Sequence, residues 1–164
     1  MSFELTKPIL DRIRTDVDEG RDSSVQELLR ELHPADIGSI LDRLTLEEAV
    51  YVYRLLEPEE AAEVLLELDE GRREELLGSL TSREIAEDVL EHIDSDDAAD
   101  VVSELSEEKQ REVIALLDDE EQREDIQELL TYEEGTAGAL MAKELVQVRT
   151  DWSVARAVVE MRRQ

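Results

Sequence analysis

Cysteine is absent from this 164-residue chain, and aromatic side chains nearly so, with one Trp, one Phe and three Tyr. Without thiols there is no disulfide and no thiolate metal site, which is compatible with a reducing cytosol. The six glycines are scattered, and no GxGxxG or phosphate-loop pattern occurs. Long apolar runs are missing too. None approaches the ~18 residues that cross a bilayer, and Met1-Ser2-Phe3-Glu4 lacks a basic region followed by an apolar one. The expectation is a soluble chain with no membrane insertion of its own. Basic residues are scarce: 18 Lys and Arg stand against 45 Asp and Glu, a formal charge of −27. So negative a surface disfavours nucleic acid and anionic lipid as partners.

What remains is aliphatic and acidic. Apolar content of 41% is too high for an acidic disordered tail, and Leu, Val, Ile and Ala supply almost all of it. The chain should fold, and its length allows one domain or one domain plus part of another.

A repeat organises the centre. Leu32, Leu44, Leu56, Leu68 and Leu80 recur every twelve residues, and Ile93, Leu105 and Leu117 continue the period after one inserted residue near His92. Each is followed by helix-start chemistry: Thr45 with Glu48, Thr81 with Glu84, Asp118 with Glu121, and Pro34 and Pro58 at first helical positions. Within a unit the apolar residues recur at three and four, as in Ile37, Ile40, Leu41 and Leu44. Helices this short are marginal alone and must pack on neighbours. The units therefore read as helical hairpins of about twenty-four residues stacked into a superhelical array. Upstream, Leu10 to Val17 and Ser23 to Leu32 predict two more helices separated by Gly20, the second with a Ser23–Gln26 capping box. The fold expected is an all-α superhelical solenoid of about ten short helices.

The period breaks after Leu130. Gly135 and Gly138 mark a linker, Leu145 to Arg149 has the β-branched alternation of a strand, and Val154, Ala157, Val158 and Met161 form a last helical stripe behind a Thr150–Ser153 cap. One strand and one helix cannot bury a core of their own. The reading is a solenoid over residues 1–131, then over 132–164 a linker and the beginning of a second domain that the chain does not complete.

The densest chemistry lies between Glu84 and Glu108, twenty-five residues with eleven carboxylates and no Lys or Arg. Helical spacing puts Asp96 and Asp100 on one face, where like charges repel until a cation or basic partner arrives. The stretch is a candidate cation sensor. An acidic run is also commonly just a solvated helix face. Asp94 reads as an N-cap, since Asp97 follows at the capping-box interval. His33 and His92 lack a second His or Cys at ligand spacing, and no D-x-D-x-D-G calcium loop is present. Nothing marks a nucleophile or a catalytic cleft, so no enzyme is expected.

Several segments resemble one family. Glu31-Leu32-His33-Pro34-Ala35-Asp36, the run from Glu57 to Leu66, Asp96-Asp97-Ala98-Ala99-Asp100 and, most specifically, Tyr132 to Met141 are similar to the cytosolic N-terminal domain of the MgtE magnesium transporters. The resemblance runs from Glu19 to Gln164, with residues 137–164 resembling the opening strand and helix of a cystathionine-β-synthase (CBS) domain. It implies a cytosolic magnesium-sensing domain of a cell-membrane protein, in which Mg2+ bridges the N domain to CBS domains and closes the channel. It also implies metal ligands at Glu63, Asp96 and Asp100 and a main-chain carbonyl at Ala139, commonly Gly in the family. The partners implied are the CBS domains and transmembrane channel of the same protein, homodimeric at full length. The CBS-side carboxylates would lie beyond Gln164, so binding to this chain alone is expected to be weak. The alternative is a helical-repeat interaction scaffold without ion sensing, of the flagellar motor switch kind.

Overall fold

In the computed structural model, residues 5–133, 135–144 and 148–161 are described. The elements are α1 (Lys7–Asp18), α2 (Asp22–Leu29), α3 (Pro34–Leu41), α4 (Leu46–Tyr53), α5 (Pro58–Leu66), α6 (Glu70–Ser79), α7 (Ser82–Asp88), a 3₁₀ turn (Leu90–His92), α8 (Ser95–Ser103), α9 (Glu107–Leu116), α10 (Glu120–Leu129) and α11 (Val154–Met161). Among the described residues there is no strand. The expected strand from Leu145 lies largely outside them, since residues 145–147 are not described.

The short helices stack as the period requires. α3, α5, α7 and α9 pack in succession, and α4 pairs with α6 and α8 with α10, so through most of the array a helix rests on the next but one. Ile37, Leu41, Leu65, Leu76, Ile85, Leu90, Leu117 and Ile126 fill the space between them with under 2% of their surface exposed. Burial on that scale is worth roughly 1.5–3 kcal/mol per side chain and holds helices that would melt alone. Gly38 sits where α3 meets the end of α5, and a Cβ there would lie 3.4 Å from Glu67.

Polar ties lock the stack at a longer spacing than the hairpin expectation of twenty-four. Arg72 donates to the Leu44 carbonyl at 2.6 Å, Lys109 to the Leu77 and Leu80 carbonyls at 2.6 and 2.7 Å, and Gln122 to the Leu90 carbonyl at 2.6 Å. These ties join residues 28 to 32 positions apart. The cause is geometric: a side chain at a helix start reaches the carbonyls left without acceptor duty at the end of the helix three earlier.

Most boundaries follow local chemistry. Thr45 with Glu48 and Thr81 with Glu84 form complete capping boxes, and Pro34 and Pro58 are the first residues of their helices. Three expectations are corrected. Asp119, not Asp118, caps α10, accepting from the N–H groups of Glu121 and Gln122 at 2.8 and 3.2 Å. α2 starts at Asp22, so Ser23 lies inside it and Gln26 instead donates to the Leu55 carbonyl at 3.0 Å. Asp94 occupies the N-cap position of α8 but its side chain makes no capping bond. The inserted residue near His92 is absorbed by the 3₁₀ turn after α7.

Candidate functional site

α8 carries the acidic run because its apolar residues take the opposite stripe: Ala98, Ala99, Val101 and Val102 are buried, leaving Asp96 and Asp97 partly exposed and Asp100 exposed. Burial, then the charges of Asp96, Asp94 and Asp100, push the Asp97 carboxyl above its ordinary value, with only Arg73 opposing. Arg73 reaches this face from α6, but its guanidinium is clasped by Glu104 just beyond α8, with Nε at 2.9 and 3.0 Å from the two carboxylate oxygens and Nη2 at 2.5 Å. That hydrogen bonding first, and the nearby Glu104, Asp100 and Glu70 charges, hold Arg73 firmly protonated against the effect of burial.

The cations flanking the acidic run are likewise engaged elsewhere. Arg83 pairs with Glu87 at 3.1 Å, and Lys109 donates to the carbonyls at the end of α6. The 18 basic residues thus serve partly as internal fasteners, and the carboxylates dominate the outside.

Glu63 is exposed on α5, beside Glu60, whose carboxyl is raised by burial and then by Glu57 and Glu63. α5 packs on α3, α7 and the 3₁₀ turn, whereas α8 packs on α9 and α10. Ala139 lies in the turn after α10, its N–H directed at Thr136 Oγ1 at 3.4 Å. Asp96 and Asp100 therefore share one helix, and Glu63 and Ala139 belong to separate elements. Among the described residues no group of three or more His, Asp or Glu side chains is disposed to hold one metal ion. The oxygen donors themselves suit a hard cation such as Mg2+, which takes one or two carboxylates and keeps much of its water.

The described residues after α10 make contacts of their own. The Tyr132 ring lies over Gly138, where an added Cβ would come within 2.5 Å of Cδ1, and Gly135 adopts a left-handed φ of 75°. Lys143 then pairs with Glu128 at 2.7 Å, and Glu144 accepts hydrogen bonds from Ser95. Sequence reasoning missed Arg73, Glu104, Ser95 and Glu144. The Arg72-Arg73 pair in an acidic neighbourhood was a usable signal, whereas nothing local points to Ser95 or Glu144.

Among the described residues, no helix is long and apolar enough to cross a membrane. Two solved structures are similar to the whole array. The soluble part of a magnesium transporter matches with a TM-score of 0.76 at 24% identity, over 94% of this chain and 60% of that one. The cytosolic domain of the Mg2+ channel MgtE in complex with ATP matches with a TM-score of 0.79 at 32% identity, over 94% of this chain and 62% of that one. The chain thus spans about three fifths of the length of these structures. No curated protein sequence matches it significantly. The family model for the MgtE intracellular N domain matches residues 32–135, most of the helical array, and the chain belongs to that family.

Proposed function

We propose that this chain is the magnesium-sensing regulatory module of an MgtE-type transporter, acting on the cytoplasmic side of the membrane and without catalysis of its own. The observation that carries this reading is the α8 face: Asp94, Asp96, Asp97 and Asp100 crowd the start of one helix, and Arg73, the cation that lowers Asp97, is itself held by Glu104. A divalent ion there would add positive charge to this crowded carboxylate face. Asp96 and Asp100 offer carboxylate oxygens from α8, Glu63 offers one from α5, and the Ala139 carbonyl offers one from the turn that follows the array.

In this reading residues 1–131 form the sensor and 132–164 lead into a CBS domain, whose carboxylates complete sites that the sensor only half supplies. Mg2+ between the two acidic surfaces favours their docking and a closed channel in the dimeric transporter. When Mg2+ falls, repulsion separates them. Linkage makes the coupling reciprocal: an ion that prefers the docked state contributes that preference to docking.

The test is a Mg2+ titration in the millimolar range against NaCl of equal ionic strength, following the amide resonances of Asp96, Asp97 and Asp100. Mg2+-specific shifts that disappear in Asp96→Asn/Asp100→Asn are expected. That double variant should also be more stable at low salt by about 0.2–0.5 kcal/mol, through relief of like-charge repulsion. Identical responses to both salts would leave the acidic face as solvated surface and favour the scaffold reading.

A further inference from the structure

We propose that Lys143 and Glu144 form a latch that fastens the segment following the helical array to the start of α8 and the end of α10. Ser95, the first residue of α8, is completely buried despite its polarity. Its N–H donates to Glu144 Oε1 at 2.9 Å and its hydroxyl to Glu144 Oε2 at 3.1 Å, while the Lys143 N–H donates to Ser95 Oγ at 2.9 Å. The Lys143 ammonium reaches back to Glu128 of α10 at 2.7 Å.

The chemistry is specific. An N–H in the first turn of a helix has no acceptor within the helix, and the local candidate, Asp94, does not supply one. Glu144, 49 positions along the chain, supplies it instead. A carboxylate suits that position because the partial positive charge of the helix N-terminus faces it. The adjacent Lys143 must carry the opposite sign to meet Glu128. Exchanging the two charges would set an ammonium against the helix N-terminus and a carboxylate against Glu128. The order Lys-Glu is therefore part of the fit.

The consequence is a two-way coupling. The amide and hydroxyl of Ser95 keep these partners only while the segment is docked, so whatever draws residues 143–144 away leaves the first residue of the helix that carries Asp96, Asp97 and Asp100 buried without them. Whatever orders α8 favours the docked segment in turn. This device stands on hydrogen bonds alone and does not require the magnesium reading.

The test is amide hydrogen exchange on the full 164-residue chain without divalent ions, comparing wild type with Glu144→Ala and Glu144→Gln. Ser95 should be protected in the wild type, although first-turn amides ordinarily exchange freely. In Glu144→Ala its exchange should accelerate about tenfold or more, the loss expected for a hydrogen bond to a charged acceptor. Ala98, whose N–H donates to the Asp94 carbonyl at 2.9 Å, should not change. Glu144→Gln, which keeps a neutral acceptor, should fall between. Trypsin cleavage after Lys143 should quicken in the same order. An unprotected Ser95 amide in the wild type, or an unchanged rate in Glu144→Ala, would overturn the latch. Equal acceleration at Ser95 and Ala98 would overturn it too, since that pattern reports general destabilisation.

Discussion

Replacing Arg73 with Ala removes the cation that holds α6 to the acidic end of α8, and the structure fixes both the sign and the size of the effect. Three contacts of 2.5 to 3.0 Å are lost, between side chains only 20% and 16% exposed. A hydrogen-bonded charge pair this sheltered is worth roughly 1.5–3 kcal/mol, well above a surface ion pair. Its loss also removes the positive charge that pairs with Glu104 and lowers Asp97. We expect Arg73→Ala to cost about 2 kcal/mol, a fall in Tm of about 4–8 °C for a chain of this size. Glu104→Ala should cost less, because Arg73 still has Asp100 and Asp97 beside it. The double variant should be no worse than Arg73→Ala alone. Urea unfolding of the four proteins at low salt closes the cycle. If both cost under about 0.5 kcal/mol, the pair would be an ordinary surface contact, and if Glu104→Ala proved as costly as Arg73→Ala, Asp97 and Asp100 would contribute nothing at Arg73.

Other perturbations have equally definite signs. Asp42, Glu60, Asp88 and Asp97 are all raised, by burial first and by neighbouring carboxylates next, so above the ordinary values of 3.8 and 4.5 the folded chain holds more protons than the unfolded one. Stability should therefore rise as pH falls from 7 toward about 5. Asp16, lowered by its bond from Ser24 and by Arg21, and Glu128, lowered by Lys143, act oppositely. Their contribution is lost only below the ordinary carboxylate range, so Tm should pass through a maximum in mild acid. A steady decline in Tm from pH 7 to 5 would contradict this. The Tyr53 hydroxyl is buried with no hydrogen-bond partner among the described residues, so Tyr53→Phe should be neutral or stabilising by up to ~1 kcal/mol in thermal melts. Gly20 has φ 63° and open space around its Cβ position, so Gly20→Ala should cost about 1 kcal/mol through backbone strain alone, measurable as a shift in denaturant midpoint.

Legibility in the sequence followed the range of the interactions. Thr45–Glu48, Thr81–Glu84 and the two helix-opening prolines are encoded within four residues, and the twelve-residue apolar period reports directly which stripe each helix buries. Where two adjacent residues compete for one cap, as Asp118 and Asp119 do, pattern alone does not choose, and the structure selects Asp119. Asp94 is the N-cap of α8, as the spacing implied, but its side chain makes no capping bond, and the first amide of α8 is met by a distant side chain, Glu144. Arg73 and Glu104 lie 31 positions apart, so their pairing requires knowing that the end of α8 returns to the start of α6. The acidity of α8 was plain from composition, but the absence of a cluster of three metal-holding side chains among the described residues is a fact of three-dimensional placement.

The distribution of positive charge connects stability to the proposed regulation. A chain with 45 acidic and 18 basic residues could scatter its cations over the surface and weaken the repulsion everywhere. Instead Arg72, Lys109 and Arg123 donate to backbone carbonyls near helix ends, at 2.6, 2.6 and 2.5 Å, where each satisfies groups the short helices cannot satisfy themselves. A solenoid of seven- to twelve-residue helices has many such ends, so it draws a large share of the available cations into structural duty. The cost is a surface whose repulsion the fold must withstand, and α8 concentrates it because Arg83, Lys109 and Arg73 are all held by other partners. In the proposed reading, a small, hard divalent ion is what eases the repulsion on that face further.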